Sequence, residues 1–330
     1  MSEPLYLTKD GKLERNENTV YFENEFQKSP IPIEQVSEIY CISHITVTSG
    51  VIHFLAQKEI PIHFFNHYGY YEASLWSRKR DVSGQIIISQ AKAYLNPEVR
   101  FRFASSFVIG AAMNIINVLK NQERNGKGLD GTIEEIKDYL DNVPSTSPSI
   151  QALMGIEGNI RRLYYSALDE ILPEFLRLSG REYNPPSNAG NSLMSFCNSL
   201  SYTACLTEIY HTQLDPTISF LHEPGTKRFS LSLDVAEIFK PAITDRIFLK
   251  LSNRGQLDES HFDTDLEGTV LSEKGKRLVL KTFQEKMEDT ITHRGLKRKV
   301  TYRRMIRLEC YKILNDLMLG ELYHPLVTWW

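Results

Sequence analysis

Residues 83–96, SGQIIISQAKAYLN, and residues 97–126, PEVRFRFASSFVIGAAMNIINVLKNQERNG, carry the change of period on which the fold turns. Their apolar side chains recur on 3.6-residue stripes, and Ser83 and Pro97 stand where helices start, so two helices are expected in succession. The chain before them reads differently. Residues 5–23, LYLTKDGKLERNENTVYFE, read as strand, turn, strand, turn, strand, with Asp10-Gly11 offering type I′ hairpin chemistry. Short β-branched and aromatic runs follow at 37–43 (SEIYCIS), 60–66 (IPIHFFN) and 69–76 (GYYEASLW), with a short helix between the first two. Beyond residue 126, helices are predicted at 149–175, 188–213, 230–239, 241–251, 272–290 and 299–320, between loops rich in Gly, Pro and Ser. The expected class is α+β. A β-rich domain spans 1–76, SRKRDVSG at 77–84 is the linker, and a larger all-α domain runs over 85–330.

A chain of 330 residues, 42% hydrophobic and 24% charged, has the composition of an ordinary globular protein with room for a sizeable core. It has no run of ~18 uninterrupted apolar residues and no charged n-region leading into an apolar run, so no membrane association and a cytoplasmic location are expected. Cys41, Cys197, Cys205 and Cys310 lack zinc or disulfide spacing and read as ordinary thiols. His44, His53, His63 and His67 fall on mixed faces and read as core or surface histidines. The net charge of −3 conceals an uneven distribution: residues 274–312 hold 13 Lys or Arg against 4 acids. That segment is the natural candidate for contact with a polyanion.

Chemistry enters at residues 155–165, GIEGNIRRLYY, where Glu157 stands between two glycines inside a helical segment. Glycine within a helix costs about 1 kcal/mol relative to alanine, so Gly155 and Gly158 suggest close approach to the backbone, either by a ligand or by a packed helix. Arg161 and Tyr165 follow on the face of Glu157. His222 lies in FLHEPGTKRFSL, a stretch rich in turn formers, where a capping or surface histidine is the plain alternative. In LSLDVAEIFKP, Asp234 and Glu237 share a helical face and repel unless a cation lies beside them. Such pairs are common on solvated faces, but Leu231, Leu233, Val235, Ile238 and Phe239 make an exposed face hard to draw here. One helix acid, one imidazole and an acid pair form an oxygen-rich donor set that suits Mg²⁺ or Mn²⁺ and phosphodiester chemistry. There is no GxxxxGK[ST] phosphate loop.

The order GIEGNIRRLYY, PPSNAGNSLMSFCNSLSY, FLHEPGTKRFSLSLDVAEIFKPAITDR resembles the CRISPR-associated integrase family, the larger of the two universal CRISPR adaptation proteins. IPIEQVSEIY and IPIHFFNHYGYY resemble that family's β-domain, particularly in type I-B systems. The resemblance implies that Glu157, His222 and Glu237 are the metal ligands, with Asp234 as the neighbouring acid and the choice between Asp234 and Glu237 for the inner contact left open. It implies substrate-positioning roles for Arg161, Tyr165, Asn191, Lys227 and Arg228. It further implies insertion of captured double-stranded DNA, the prespacer, into the CRISPR repeat by attack of a 3′-hydroxyl on a phosphodiester. The implied partners are a second copy of the chain, paired through the β-domains, and the small second adaptation protein bridging two such homodimers. The basic helix TYRRMIRLECYK and the preceding RGLKRK would hold the DNA backbone. Two other readings use the same residues: a metal-dependent nuclease for branched DNA, and a non-catalytic DNA-binding scaffold whose acids merely pair with Arg161 or Lys240.

Overall fold

The structure is a computed structural model that describes all residues except 1, 79–80, 125, 144–148, 183–184, 226–228, 254, 265–267, 294 and 329–330. The N-terminal part comprises β1 (Glu3–Leu7), β2 (Gly11–Asn16), β3 (Thr19–Glu23), β4 (Lys28–Ile31), β5 (Val36–Cys41), β6 (Ile45–Val47), α1 (Ser49–Gln57), β7 (Ile62–Phe65) and β8 (Tyr71–Leu75). These strands form two four-stranded sheets, ordered β4-β3-β2-β6 and β1-β5-β7-β8. Between them lies a core of Leu13, Val20, Ile39, Val51, Leu55 and Ile62. Val51, Phe54 and Leu55 of α1 join that core, whereas the β1-β5-β7-β8 sheet is buried on both faces: Ile39 and Cys41 face this core and Tyr40 and Phe65 the helical one.

The expected Asp10-Gly11 hairpin does not form. β1 runs parallel to β5 in one sheet, while β2 pairs with β3 and β6 in the other, so the chain changes sheets at Asp10. Asp10 there accepts hydrogen bonds from the Ser43 hydroxyl and, at 3.1 Å, the His44 amide. Gly11 N–H donates to His44 O at 3.0 Å. The tight hairpin is β2–β3, closed through Glu17 at φ 53°. Turn chemistry marked a reversal, but long-range pairing decided what was reversed.

The helical part comprises α2 (Gly84–Leu95), α3 (Pro97–Glu123), α4 (Asp130–Asp141), α5 (Ile150–Ile171), α6 (Ala189–Tyr210), α7 (Ser230–Phe239), α8 (Thr244–Asn253), α9 (Glu273–Glu288) and α10 (Tyr302–Leu319). It also holds two hairpins that the periodicity does not reveal, β9 (Phe262–Thr264) with β10 (Thr269–Leu271), and β11 (Thr290–His293) with β12 (Arg298–Thr301). The starts follow capping chemistry: the Ser83 hydroxyl accepts from Ile86 N, and the Asn96 side chain accepts from Glu98 N and Val99 N ahead of Pro97. α3 is long and apolar enough to cross a membrane by length and composition alone. Its Phe103, Phe107, Ile115 and Leu119 are buried at the centre of the helical core, which accounts for that composition. All four cysteines are free and buried.

The two parts are joined by a buried polar cluster. Glu38 of β5 and His63 of β7 are 1% and 0% exposed. His63 Nε2 lies 3.2 Å from Glu38 and 3.2 Å from the Thr207 hydroxyl of α6, and its Nδ1 lies 2.7 Å from Ser74 Oγ. Arg303 of α10 pairs with Glu38, and Arg307 pairs with the buried Glu208 of α6. Trp76 stacks on Tyr210 alongside. This corrects the reading of the basic C-terminal helix: Arg303 and Arg307 face inward and clamp sheet to helices, and Lys312 pairs with Glu309. The exposed cations of residues 274–312 lie instead on α9, at Lys274, Arg277 and Lys281, and on the β11–β12 hairpin, at Lys297, Arg298 and Lys299.

Candidate active site

α7 is built from residues that are apolar on nearly every side, and all of them but Leu233 are buried. Its two acids therefore need partners within the fold. Asp234 is fully buried, and its carboxylate accepts from the backbone amides of Phe220 (2.7 Å), Leu221 (3.0 Å) and His222 (3.0 Å). It also lies 2.8 Å from His222 Nδ1. The 220–222 loop is thus wrapped on one carboxylate, which also fixes the imidazole and leaves Nε2 as its outward nitrogen. A carboxylate holding the far nitrogen of a histidine is the usual support for a ligating imidazole. Asp234 is committed to that support, which leaves Glu237 as the acid of the pair available for a ligand.

Glu237 lies one turn further on, with 7% of its side chain exposed, between Lys240 and Arg161, and pairs with both. Arg161 also holds Glu157, Nε to Oε1 at 3.0 Å. Sequence positions 157 and 237 therefore meet at one guanidinium. Burial opposes the charge on Arg161, but Tyr165, Glu157 and Asp245 outweigh it and raise its pKa. Asp245, at the start of α8, was not singled out from the sequence. It accepts a 2.8 Å hydrogen bond from Tyr164, and burial pushes its carboxyl up to about 6 against the pull of Arg161. The signal that could have found it was present, since Asp245 stands within the PAITDR stretch at 241–246, shortly after the acid pair.

The face around Glu157 is open. A Cβ added at Gly155 or Gly158 would meet no atom within 4 Å, so neither glycine serves a helix contact. A narrow cleft lies between α3 and α5, lined by Ala111, Ala112 and Ile115 on one side and Glu157 and Arg161 on the other.

Other expected residues fall differently. Tyr165 is half-buried and coupled electrostatically to Arg161. Asn191 is fully buried: its Oδ1 accepts from Arg181 and Glu182 N, and its Nδ2 donates to Leu178 O and Gly180 O. It shapes the 178–182 loop and has no capacity left for a substrate, a correction to its expected role. Lys227 and Arg228 lie outside the described residues. Among the described residues, no three His, Cys, Asp or Glu side chains close around a common point, so the expected ligands do not form a coordination shell in this arrangement. The donor chemistry nevertheless suits a hard divalent ion: two carboxylates, one oriented imidazole, and all four thiols buried. Arg161 and Lys240 supply positive charge where such an ion would.

A two-sheet β part joined to a helical body is an α+β architecture found in solved structures. A casposase bound to integration product has this fold, at TM-score 0.86 and 17% identity, covering 98% of this chain and 92% of that one. A Cas1 protein from Thermotoga maritima superposes at TM-score 0.88 with 37% identity, over 98% of this chain and 99% of that one. The "CRISPR-associated endonuclease Cas1" of Pyrococcus horikoshii is 45% identical over 326 residues, 99% of this chain and 98% of its own length. The family model described as CRISPR associated protein Cas1 matches residues 5–285. The chain belongs to the Cas1 family.

Proposed function

We infer that this chain is a metal-dependent DNA endonuclease and integrase of CRISPR adaptation, joining the 3′-hydroxyl of a captured fragment to a phosphodiester of the repeat. The observation that carries this reading is the meeting of Glu157 and Glu237 at Arg161, one turn along α7 from the Asp234 that orients His222. Glu157, Glu237 and His222 Nε2 would hold Mg²⁺ or Mn²⁺. When bound, that ion would polarise the phosphodiester and offset charge at phosphorus. The chain's own groups do the rest. Asp234 keeps the imidazole in place, and Arg161 and Lys240 put positive charge beside the negative phosphate oxygens. The new 3′-O–P bond forms as the repeat's P–O bond breaks and leaves a free 3′-hydroxyl, so no nucleotide cofactor is consumed. A homodimer formed through the β part and bridging by the small second adaptation protein belong to the same reading.

The test is a strand-transfer assay on supercoiled DNA carrying a repeat, with Mg²⁺ or Mn²⁺ and a fragment bearing a 3′-hydroxyl. Joined product is the expected result. Nicked product alone, with water as nucleophile, would instead indicate a branched-DNA nuclease. The pairing of Glu157 with Arg161, and of Glu237 with Arg161 and Lys240, favours a second reading, a DNA-binding scaffold, and DNA binding with neither product in any metal would support it.

The DNA backbone is assigned to the β11–β12 hairpin, because Arg303 and Arg307 are engaged in the fold. Arg298→Ala with Lys299→Ala is expected to weaken binding equally across DNA sequences. It should reduce the slope of log Kobs against log salt by about 1–2. Fluorescence anisotropy at several salt concentrations measures this, and an unchanged slope would remove the hairpin from the interface.

A further inference from the structure

The end of α7, next to Glu237, is held by a residue to which the proposed chemistry gives no role. Asn114 lies in the middle of α3 and is fully buried. Its Nδ2 donates to Ile238 O of α7 at 3.0 Å and to Leu326 O of the C-terminal segment at 2.9 Å. Its Oδ1 accepts from Thr328 N at 2.7 Å. One amide thus ties together the helix that carries Glu237, the helix that lines the cleft at Glu157, and the last stretch of described chain. A side-chain amide has two N–H donors and one carbonyl oxygen, and all are used here.

The C-terminal segment crosses α3 as a strap with several anchors. Tyr323 donates its hydroxyl to Glu309 Oε1 at 2.7 Å, and Leu326 N donates to the same oxygen at 2.9 Å. Tyr323 N donates to Asp316 Oδ2 at 2.7 Å. Asn117, nearly one turn beyond Asn114, donates to Thr328 O. Gly110, roughly one turn before it, makes room for Pro325: a Cβ there would lie 2.6 Å from Pro325 Cβ and 3.6 Å from Ile238 Cγ1. The close approach of strap, α3 and α7 depends on that glycine.

We propose that Asn114 is a positioning residue through which the C-terminal strap fixes the end of α7, and with it the placement of Glu237 opposite Glu157. Ile238 adjoins Glu237, so a carbonyl released at Ile238 moves the backbone that carries the carboxylate. Misplacement by about 1 Å costs on the order of 10²-fold in rate. The proposal rests on the integrase reading for its rate readout, and on Mn²⁺ binding for a readout independent of turnover.

The experiment compares the full chain with Asn114→Leu and with a second variant, Thr328→Pro, which removes the N–H that reaches Asn114 together with the Thr328 hydroxyl beside Asn117. Strand-transfer kcat, KM for the DNA fragment and Mn²⁺ affinity by electron paramagnetic resonance are measured for soluble, monodisperse protein. Both variants are expected to lower kcat about 10- to 100-fold, with KM within about twofold and Mn²⁺ affinity reduced about tenfold. Three results would overturn the proposal: a lower Tm with kcat and Mn²⁺ affinity unchanged, a raised KM with kcat unchanged, or losses confined to Asn114→Leu while folded Thr328→Pro matches wild type. If wild type itself joins no DNA, the integrase reading fails, and the Mn²⁺ affinities alone decide the role of Asn114.

Discussion

Glu157→Gln is expected to lower strand transfer roughly a thousandfold or more while leaving DNA affinity within about threefold. The amide keeps the shape of the side chain and removes the negative charge that a divalent ion needs. The 27% exposed side chain of Glu157 makes its pairing with Arg161 worth only about 0–1 kcal/mol, so the fold should hold. Glu237→Gln should abolish activity equally, but it breaks a nearly buried pair, and its expected stability loss of about 3–5 kcal/mol makes it the less clean variant. Joined product per minute, anisotropy for DNA and thermal unfolding separate these effects. Wild-type rates in Glu157→Gln would mean that the acid merely pairs with Arg161.

Arg303→Met is expected to cost about 3–5 kcal/mol of stability at pH 7, because it leaves Glu38 charged in a site 1% exposed. Burial alone would push the Glu38 carboxyl up, but Arg303 and the hydrogen bond from His63 hold it down at about 2. A depressed acid pKa adds stability that is fully present above the unfolded value near 4.5 and is lost as pH falls towards 2. The gap between wild type and Arg303→Met should therefore be widest near neutrality and narrow between pH 4.5 and 2. Pairing the change with Glu38→Gln should recover part of the loss, since no buried charge is then left alone. Urea unfolding from pH 2 to 7 checks this. A gap under 1 kcal/mol that ignores pH would mean that the clamp contributes little.

Local chemistry made much of the fold legible. α7 runs from Ser230 to Phe239 as the apolar pattern indicated, and Ser83, Asn96 and Pro97 start their helices through bonds a sequence can announce. The α+β class follows from the switch of period. What stayed hidden depends on distant partners. Parallel pairing of β1 with β5 cannot be inferred from Asp10-Gly11, and the short β9–β10 and β11–β12 hairpins lie in polar stretches without a strand period. Arg303 and Arg307 look like a solvated basic stripe until Glu38 and Glu208 are placed opposite them. Of the four side chains read from the sequence, Glu157 and Glu237 meet at Arg161 and His222 rests on Asp234, a division of labour on α7 that the sequence does not show. That division depends on three backbone amides from residues 220–222 reaching Asp234. Asn191 and Asn114 look alike in sequence, yet one folds a loop and the other spans three elements.

The central claim is that Glu157, His222 and Glu237 take up one divalent ion in exchange for the cations now beside the two acids. Mn²⁺ titration followed by electron paramagnetic resonance tests it without DNA or turnover. About one ion per wild-type chain is expected, with affinity reduced at least about tenfold by Glu157→Gln, Glu237→Gln or His222→Ala alone. Equal Mn²⁺ binding by wild type and all three variants, or no binding by wild type, would contradict it.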